Sequence, residues 1–287
     1  MKKCNVILEM CCNHQGNIEI AKKMIYVAKY FCNAKIVKFQ KRDIEAWCHR
    51  KPEIYNKPHP VKENAFGNTY KEHRKFLEFS FEQHKELKEL CEKLDMIYSC
   101  SVFDIESTKQ IVELNPKLIK VPSGCNQNFE ILDYLCKNYN GEIHISLGMT
   151  SYEETEKIFE FFKKNKRNMD LIFYTCTSSY PVKPENINLL EIKRLYEKYA
   201  KEIKGIGFSG HHDGINIDSV AYSLGANFIE RHFTLDRKQK GTDHKVALRP
   251  EDAKKLIENL DEIYRAYNYR NDDILEVEME NKEKLKW

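Results

Sequence analysis

The chain lacks the features that mark secreted, membrane and paired-thiol proteins. No Cys-x-x-Cys pair occurs among its ten cysteines. No apolar run reaches the roughly 18 residues of a membrane span, and the apolar stretch at the N-terminus is too short for a signal peptide. We therefore expect free thiols in a cytoplasmic protein that has no membrane partner.

A strong charge of either sign is also missing. The 287 residues contain 47 Lys and Arg against 44 Asp and Glu, a net charge of +3. This balance leaves no excess of positive charge of the kind that nucleic-acid-binding proteins carry. No low-complexity segment occurs. Lys-rich runs are interpreted as solvated helix ends. We expect no nucleic-acid partner.

Strand-like and helix-like segments alternate along most of the chain. Short runs rich in β-branched or aromatic residues are each followed by a segment of helical period. The predicted strands lie near residues 5–9, 35–39, 96–101, 118–122, 142–147, 170–175, 204–208 and 227–232. A doubly wound open sheet is the alternative, but it normally has a glycine-rich phosphate turn after its first strand, and none is present here. We therefore predict a single-domain α/β fold, a (β/α)8 TIM barrel over residues 1–267.

Two regions fall outside the strand–helix repeat. Residues 41–80 form a long connection after the second strand and contain three prolines. Connections of this length are often functional. Residues 268–287 are polar and charged, and we predict a tail with a short helix.

The last predicted strand ends in ionisable side chains. Along it, alternation places Phe228, Glu230 and His232 on one face. Burying a carboxylate and an imidazole is unfavourable unless something pairs with them. A metal ion, an anion or a reaction would each offset that penalty.

The carboxyl ends of the other strands carry cations and hydroxyls. Active sites of TIM barrels lie at these ends. Lys38 and Lys120 end the second and fourth strands, and Ser101, Ser123 and Ser209 lie at neighbouring ends. Ammonium, hydroxyl and backbone N–H donors are what a phosphate or carboxylate requires. We predict an anion site; the alternative is that the lysines pair with nearby acids.

Two histidines end adjacent strands. His211 follows the seventh strand and His232 ends the eighth, and neighbouring strands lie about 4.8 Å apart. Two neutral imidazoles suit a divalent transition metal that acts as a Lewis acid. The alternative for either one alone is a core or capping histidine, which is also how we interpret His14 and His212.

Ten short motifs, taken in order, resemble the sialic acid synthase family over roughly residues 5–266. They are Glu9-x-x-x-Asn13-His14-x-Gly16, Val37-Lys38-Phe39-Gln40, Tyr70-Lys71-Glu72-His73-Arg74, Phe103-Asp104, Lys120-Val121-Pro122-Ser123-Gly124, Gly148-Met149, Cys176-Thr177-x-x-Tyr180-Pro181, Ser209-Gly210-His211, Glu230-Arg231-His232-Phe233-Thr234-Leu235-Asp236 and Gly241-Thr242-Asp243-His244-Lys245. The resemblance implies a homodimeric transferase that joins phosphoenolpyruvate to an open-chain, N-acetylmannosamine-like aldose. The expected products are a nonulosonic acid and phosphate.

The resemblance also implies roles for particular residues. The expected phosphoenolpyruvate ligands are Lys38, Ser101, Lys120, Ser123, Ser178 and Ser209, although the family often has Asn where Ser178 stands. Glu9 would handle the attacking water or the tetrahedral intermediate. The expected sugar ligands are Gln40, Tyr180 and Asp243. His211 and His232 would hold a divalent metal, Mn²⁺ before Mg²⁺, and Glu230 would support it through water.

Two departures from the family pattern affect the acceptor sugar. Cys125 stands where the family often has an acidic residue that contacts the sugar. We also expect no C-terminal antifreeze-like domain, which supplies an Arg near the N-acyl group in typical members. Arg237 and the 41–80 connection are candidate substitutes. The acceptor is then a mannose-type sugar, N-acetylated or not, or its 6-phosphate.

Two other functions remain open on the sequence alone. One is a catalytically inactive barrel that acts as a binding or assembly partner. The other is a barrel aldolase that uses Lys38 or Lys120 as a Schiff base.

Overall fold

The computed structural model describes residues 2–287 and contains a closed barrel of eight parallel strands in sequence order. The strands are β1 (Asn5–Glu9), β2 (Ile36–Lys41), β3 (Ile97–Val102), β4 (Leu118–Val121), β5 (Glu142–Ser146), β6 (Leu171–Cys176), β7 (Gly205–Gly210) and β8 (Phe228–His232). The predicted TIM barrel is confirmed. Each strand begins and ends within two residues of its predicted position.

Helices surround the barrel and fill its longer connections. They are α1 (Ile18–Tyr30), α2 (Ile44–Arg50), α3 (Pro52–Tyr55), α4 (Tyr70–Leu77), α5 (Phe81–Lys93), α6 (Ile105–Leu114), α7 (Phe129–Asn138), α8 (Tyr152–Lys164), α9 (Leu190–Tyr199), α10 (Asn216–Ser223), α11 (Pro250–Ala266) and α12 (Glu276–Leu285). Polar side chains cap the N-termini of several of these helices. The Asn17 side chain accepts from two backbone N–H groups at the start of α1, and Ser151 forms a capping box with Glu154 at α8.

The strand register brings the polar strand ends to one level. Cα-paired residues on neighbouring strands are Glu9 with Lys38 and with His232, Gln40 with Ser101, Ser101 with Lys120, and Ser209 with Glu230. Below this level the barrel interior is mainly apolar, filled by Ile7, Ile36, Leu118, Ile172, Tyr174 and Phe228. The buried His144 also lies among these side chains, 2.7 Å from the Tyr174 hydroxyl. The polar groups therefore form a layer at the carboxyl end, above a packed core.

One buried charge cluster lies outside the barrel wall, between β8 and α10. Arg231 points away from the interior, donates to the Asp218 carboxylate and to Gly214 O at 2.9 Å, and lies 3.0 Å from His212 Nε2. Arg231, Asp218 and His212 are all at most 1% exposed. This cluster fastens α10 and the β7–α10 loop to the last strand.

The 41–80 connection contains helices α2, α3 and α4, which the sequence reading did not predict. A capping box between Thr69 and Glu72 begins α4. Gly16 has φ +70°, and a Cβ there would overlap Phe76 O near the end of α4. Glycine is therefore required where the β1–α1 loop meets α4, and this contact places α4 beside the end of β1.

The C-terminal segment continues beyond the helix that closes the last strand–helix unit. That helix, α11, ends at Ala266, and α12 has no buried residue. Arg270 pairs with Glu278 at 2.6 Å. Across residues 2–287, none of the helices combines the length and apolar character that a bilayer crossing requires.

Candidate active site

A cavity of about 270 Å³ opens at the carboxyl ends of the strands. It is lined by Glu9, Cys11, Lys38, Gln40, Arg42, Arg74, Ser101, Phe103, Lys120, Pro122, Ser123, Gly124, Ser146, Tyr180, His232 and Asp243. Larger cavities of about 380 and 590 Å³ border Gly205 and Ile36, at the amino ends of their strands. Chemistry in this fold lies at the carboxyl ends. Another cavity of about 570 Å³ also lies there, beside Leu147 and Cys176. The 270 Å³ cavity is the candidate site because Lys38, Lys120 and His232 line it.

The two predicted lysines are buried in the cavity wall and pair with acids. Lys38 forms an ion pair with Glu9 and lies 2.7 Å from Ser101 Oγ. Lys120 Nζ lies 2.9 Å from Glu230 Oε2 and 3.5 Å from the centre of the Tyr174 ring. The two lysines therefore pair with acids, which was the alternative left open by the sequence, and both also line the cavity. Both ammonium groups are fixed in position before any ligand arrives.

Glu230 is shared between the two lysines. Its Oε2 also lies 3.8 Å from Lys38 Nζ, and its Oε1 accepts from Ser209 Oγ at 3.1 Å. Burial alone would raise the pKa of Glu230, but the charges of Lys120 and Lys38 outweigh it and hold that pKa well below its usual value. Glu230 is therefore ionised and contacts the lysines directly.

Two serine hydroxyls converge beside Gly148. The backbone N–H of Gly148 donates to Ser123 Oγ at 3.1 Å. A Cβ on Gly148 would lie 2.5 Å from Ser178 Oγ and 2.7 Å from Ser123 Oγ. Glycine therefore leaves the space in which these hydroxyls and an amide meet, as an anion site requires.

A chain of hydrogen bonds holds Glu9 at the end of β1. Gln40 Nε2 donates to Glu9 Oε1 at 2.9 Å, and Arg42 Nη2 donates to Gln40 Oε1 at 2.6 Å. Arg42 in turn lies 3.6 Å above the Phe103 ring and pairs with Glu78 at 3.1 Å. The carboxylate orientation is thus set from both sides, by Gln40 and by Lys38.

Three side chains that could hold a metal meet beside Glu9 and Gln40. Donor atoms of Cys11, His232 and Asp243 all lie within 4.8 Å of one another. His232 Nδ1 is buried and has no hydrogen-bond partner among the described residues. An orphaned buried ring nitrogen requires an explanation, and a cation between these donors would supply it. The residues therefore fit a divalent metal.

His211 lies next to this group but outside it. Its Nδ1 lies 3.0 Å from Thr177 O, and its ring centre is 5.5 Å from that of His232 and 4.2 Å from that of Tyr180. Burial, followed by the neighbouring His232, lowers the pKa of His211 to about 3. The ring is therefore neutral, and Nε2 remains the nitrogen with ligand capacity.

Comparison with known proteins assigns this barrel to a family. A model described as the NeuB family matches residues 24–272. Human N-acetylneuraminate-9-phosphate synthase is 37% identical over 282 residues, which is 98% of this chain and 76% of that protein. The chain belongs to the NeuB family.

Relatives from bacteria agree with this assignment. N,N'-diacetyllegionaminic acid synthase of Campylobacter jejuni is 32% identical over 93% of this chain and 78% of its own length. The crystal structure of a sialic acid synthetase from Leptospira borgpetersenii has 27% identity and a TM-score of 0.83, covering 99% of this chain and 91% of that one. The resemblance deduced from the strand ends is confirmed.

Four polar cavity residues of this NeuB-family chain were given no role from the sequence: Cys11, Arg42, Arg74 and Ser146. Alternation along extended backbone could have found Arg42, which follows Lys38 and Gln40 at two-residue spacing. Cys11 lies two residues after Glu9. Arg74 belongs to the family motif Tyr70–Arg74, but it lies on α4, so no strand pattern placed it in the cavity.

The candidate substitutes for the Arg that contacts the N-acyl group in typical members lie at different distances from the cavity. Arg237 donates to Ala247 O at 2.8 Å and pairs with Asp213 at 3.3 Å, and it does not line the cavity. Arg42 and Arg74 of the 41–80 connection do line it. Cys125 is 4% exposed, with its sulfur 3.3 Å from Phe103 O, so it packs behind the wall.

Proposed function

We propose that this NeuB-family enzyme condenses phosphoenolpyruvate with an open-chain, mannose-type aldose and water, giving a nine-carbon 2-keto-3-deoxy acid and phosphate. The observation that carries the proposal is the juxtaposition, in one cavity, of two fixed ammonium groups, converging hydroxyls and a set of metal donors. The names of the human and Campylobacter relatives support the same reaction class.

Phosphoenolpyruvate would bind to the wall that contains Lys38 and Lys120. Lys38 and Lys120 would meet its negative charges, and the expected hydroxyl donors are Ser101, Ser123, Ser178 and Ser209. Because Glu9 and Glu230 already pair with the lysines, the wall carries no large uncompensated charge before binding. Ser146 is a further hydroxyl on the cavity wall.

In the bond-forming step, carbon 3 of phosphoenolpyruvate attacks the aldehyde carbon of the acceptor. Positive charge then develops at carbon 2, and water adds there. Glu9, held by Gln40 and Lys38, accepts one proton of that water and passes it to the leaving phosphate. The second water proton leaves the carbon 2 hydroxyl as the keto group forms, and it goes to the oxygen of the former aldehyde. Cleavage of the bond between carbon 2 and the bridging oxygen leaves the keto group.

Residues around His232 would serve the acceptor. A divalent cation held by His232 and Asp243, with His211 adjacent, would supply a Lewis acid for the aldehyde oxygen. The resemblance implies Mn²⁺, and imidazole and carboxylate donors accept it. Gln40, Tyr180 and Asp243 line the cavity where the sugar hydroxyls would lie.

We further propose that the acceptor carries a phosphate at carbon 6. The guanidinium of Arg74 contacts the Tyr70 hydroxyl at 3.0 Å and Cys12 Sγ at 3.5 Å, and within residues 2–287 it pairs with no carboxylate inside 4.0 Å. Together with Arg42 it would bind a phosphate. The human relative is named for a 9-phosphate product.

The reaction is tested with phosphoenolpyruvate carrying ¹⁸O in its bridging oxygen, Mn²⁺, and a panel of mannose and N-acetylmannosamine with and without 6-phosphate. We expect acceptor-dependent release of labelled phosphate, fastest with a 6-phosphate. Unlabelled phosphate, or none with any acceptor, would refute the proposal. Arg74→Gln should remove the preference for the 6-phosphate while the unphosphorylated sugar still reacts.

A Schiff-base aldolase is the second candidate, and one observation favours it. Burial lowers the pKa of Lys120, although Glu230 opposes the shift, and a less basic amine is a better nucleophile. Borohydride reduction in the presence of a keto acid tests this function. A covalent adduct on Lys120 or Lys38 would support the aldolase and count against the synthase.

We also propose a homodimer, the state that the family resemblance implies. Exposed apolar side chains in the segments that follow β5 and β6, Met149 and Leu190, are 75% and 71% exposed and would support a partner contact near the cavity. Sedimentation at equilibrium should give twice the mass of the chain. A monomer at micromolar concentration would contradict it.

A further inference from the structure

The group formed by Cys11, His232 and Asp243 contains a soft donor that the proposed mechanism does not use. We propose that the Cys11 sulfur is a direct ligand of the divalent metal, so that the site is a Cys–His–Asp centre. This inference rests on the metal part of the proposed function. Because sulfur is a soft ligand, this centre should bind borderline-soft cations such as Zn²⁺ or Co²⁺ more tightly than hard cations.

The sulfur has the position of a ligand. Cys11 Sγ lies 2.9 Å from Asp243 Oδ2, and Gln40 Nε2 donates to the same sulfur at 3.0 Å. His232 Nδ1 completes the group, without a hydrogen-bond partner among the described residues, on a side chain that is 8% exposed. Carboxylate, thiol and unpaired imidazole therefore converge from three segments of the chain.

The backbone at Cys11 is unusual for a residue with a side chain. Its φ is +48°, in the left-handed region that favours glycine. Strain of this kind is concentrated at functional sites, where the surrounding structure enforces it. Here the left-handed turn directly after β1 directs the sulfur toward Asp243. A glycine would adopt this turn freely but would provide no donor.

The contact between sulfur and carboxylate indicates how a cation would enter. The Cys11 thiol donates a hydrogen bond to Asp243 Oδ2. A dication would replace that proton, and the proton would leave to solvent as the two metal–ligand bonds form. The amide of Gln40 would then donate to the thiolate and orient it. Three protein ligands would leave open positions for water or a substrate oxygen, as in catalytic zinc sites.

Cobalt spectroscopy tests the sulfur ligand without reference to turnover. We expect Co²⁺-loaded protein to show sulfur-to-cobalt charge-transfer absorption in the near ultraviolet, and Cys11→Ser to lose it. Two matched controls should keep the band: Cys12→Ser, the adjacent thiol, and Cys176→Ser, whose sulfur lies 3.9 Å from His211 Nδ1. Bound cobalt without the band in wild type, or a band that persists in Cys11→Ser, would overturn the proposal.

Calorimetry in buffers of different ionisation enthalpy provides a second measurement. Zn²⁺ binding should release about one more proton from wild type than from Cys11→Ser. Zn²⁺ affinity should fall at least about tenfold, the lower bound for loss of an outer partner, and Mn²⁺ affinity should fall less. Sulfur ligation would be contradicted if wild type and Cys11→Ser released the same number of protons and had the same ratio of Zn²⁺ to Mn²⁺ affinity.

Two outcomes separate this inference from the proposed function and from misfolding. Labelled phosphate release by wild type without a cobalt–sulfur band would retain the synthase and reject the sulfur ligand. If Cys11→Ser fails to fold by circular dichroism, Cys11→Gly replaces it, because glycine suits φ +48°. The band must be lost in that variant as well.

Discussion

Strand β8 carries two buried charge clusters that face in opposite directions. Inward, Glu230 pairs with Lys120 and Lys38 at the wall of an open cavity. Outward, the next residue, Arg231, pairs with Asp218 in a closed contact between β8 and α10. The two clusters are similarly buried and similarly paired. Access to a cavity, and not burial of charge, separates the cluster that can do chemistry from the one that fastens a helix.

Removal of one partner should therefore have different effects on the protein in the two clusters. The outward cluster has no solvent-accessible space, so an unpaired charge stays buried. In the inward cluster, Glu230 and Lys38 each have a second charged partner, and the cavity opens to water. We expect stability to depend mainly on the outward cluster, and turnover on the inward one.

The largest effect on stability should follow Asp218→Ala. The substitution leaves Arg231 buried without its carboxylate, which costs about 3–5 kcal/mol of unfolding free energy. Urea denaturation measures this loss, and phosphate release per folded molecule should remain close to wild type. Asp213→Ala is the control, because Asp213 is 82% exposed in its pair with Arg237 and should lose at most about 1 kcal/mol. Equal losses would remove the distinction.

The largest effect on turnover should follow Lys120→Met. It removes a cation from the proposed phosphoenolpyruvate site, and we expect phosphate release to fall by about 10²–10³-fold. Glu230 keeps Lys38 and Ser209 as partners, so the loss of stability should be smaller than in Asp218→Ala. The exposed Lys117→Met is the matched control. Retained turnover in Lys120→Met would assign Lys120 to structure.

A third buried group, His14 in the loop after β1, is neutral, and its pH dependence sharpens the comparison. Burial lowers the pKa of His14 to about 3, and its Nδ1 accepts from Gly16 N at 3.1 Å. The unfolded chain therefore binds a proton below pH about 6.5 that the folded chain does not. The stability contributed by neutral His14 is complete above that pH and is lost toward pH 3, with a slope of about 1.4 kcal/mol per pH unit.

The measurement for this group is urea denaturation of wild type and His14→Gln between pH 8 and pH 4. The stability difference between the two proteins should shrink, or change sign, as the pH falls. A difference that stays constant over this range would show that His14 does not contribute to acid sensitivity.

The smallest effect should follow Cys11→Gly. Relief of the left-handed backbone gains about 1–2 kcal/mol, and loss of the contacts to Asp243 and Gln40 removes about as much. The free energy of unfolding without metal should stay within about 1 kcal/mol of wild type. A loss above about 2 kcal/mol would make Cys11 a packing residue.

The barrel could be predicted from the sequence because its signals are local. Apolar runs and helical periods are properties of neighbouring residues, so the strands from β1 to β8 emerged near their observed positions. The helices of the 41–80 connection were missed because Pro52, Pro58 and Pro60 indicated a loop. Pro52 instead occupies the first turn of α3, and the capping box of Thr69 and Glu72 was a sequence signal for α4.

The candidate site was predictable where strand ends defined it. Lys38, Lys120 and His232 lie in the cavity wall as their strand positions indicated. Glu230 was expected beside the metal through water, but the structure pairs it with Lys120, because contacts across a barrel depend on closure and not on neighbouring residues. Arg74 belongs to a family motif, but its place in the cavity could not be predicted, because α4 reaches the cavity through the contact at Gly16.

The alternation along β8 restricts how this enzyme could change during evolution. Glu230, Arg231 and His232 serve opposite sides of one strand, and pairing with β1 and β7 fixes their register. Insertion or deletion of one residue would turn the arginine toward the substrates and the imidazole toward α10. New acceptor specificity is therefore accessible through point substitution in β8 or through length changes in the 41–80 connection, whereas a single-residue shift in β8 abolishes fold and chemistry together.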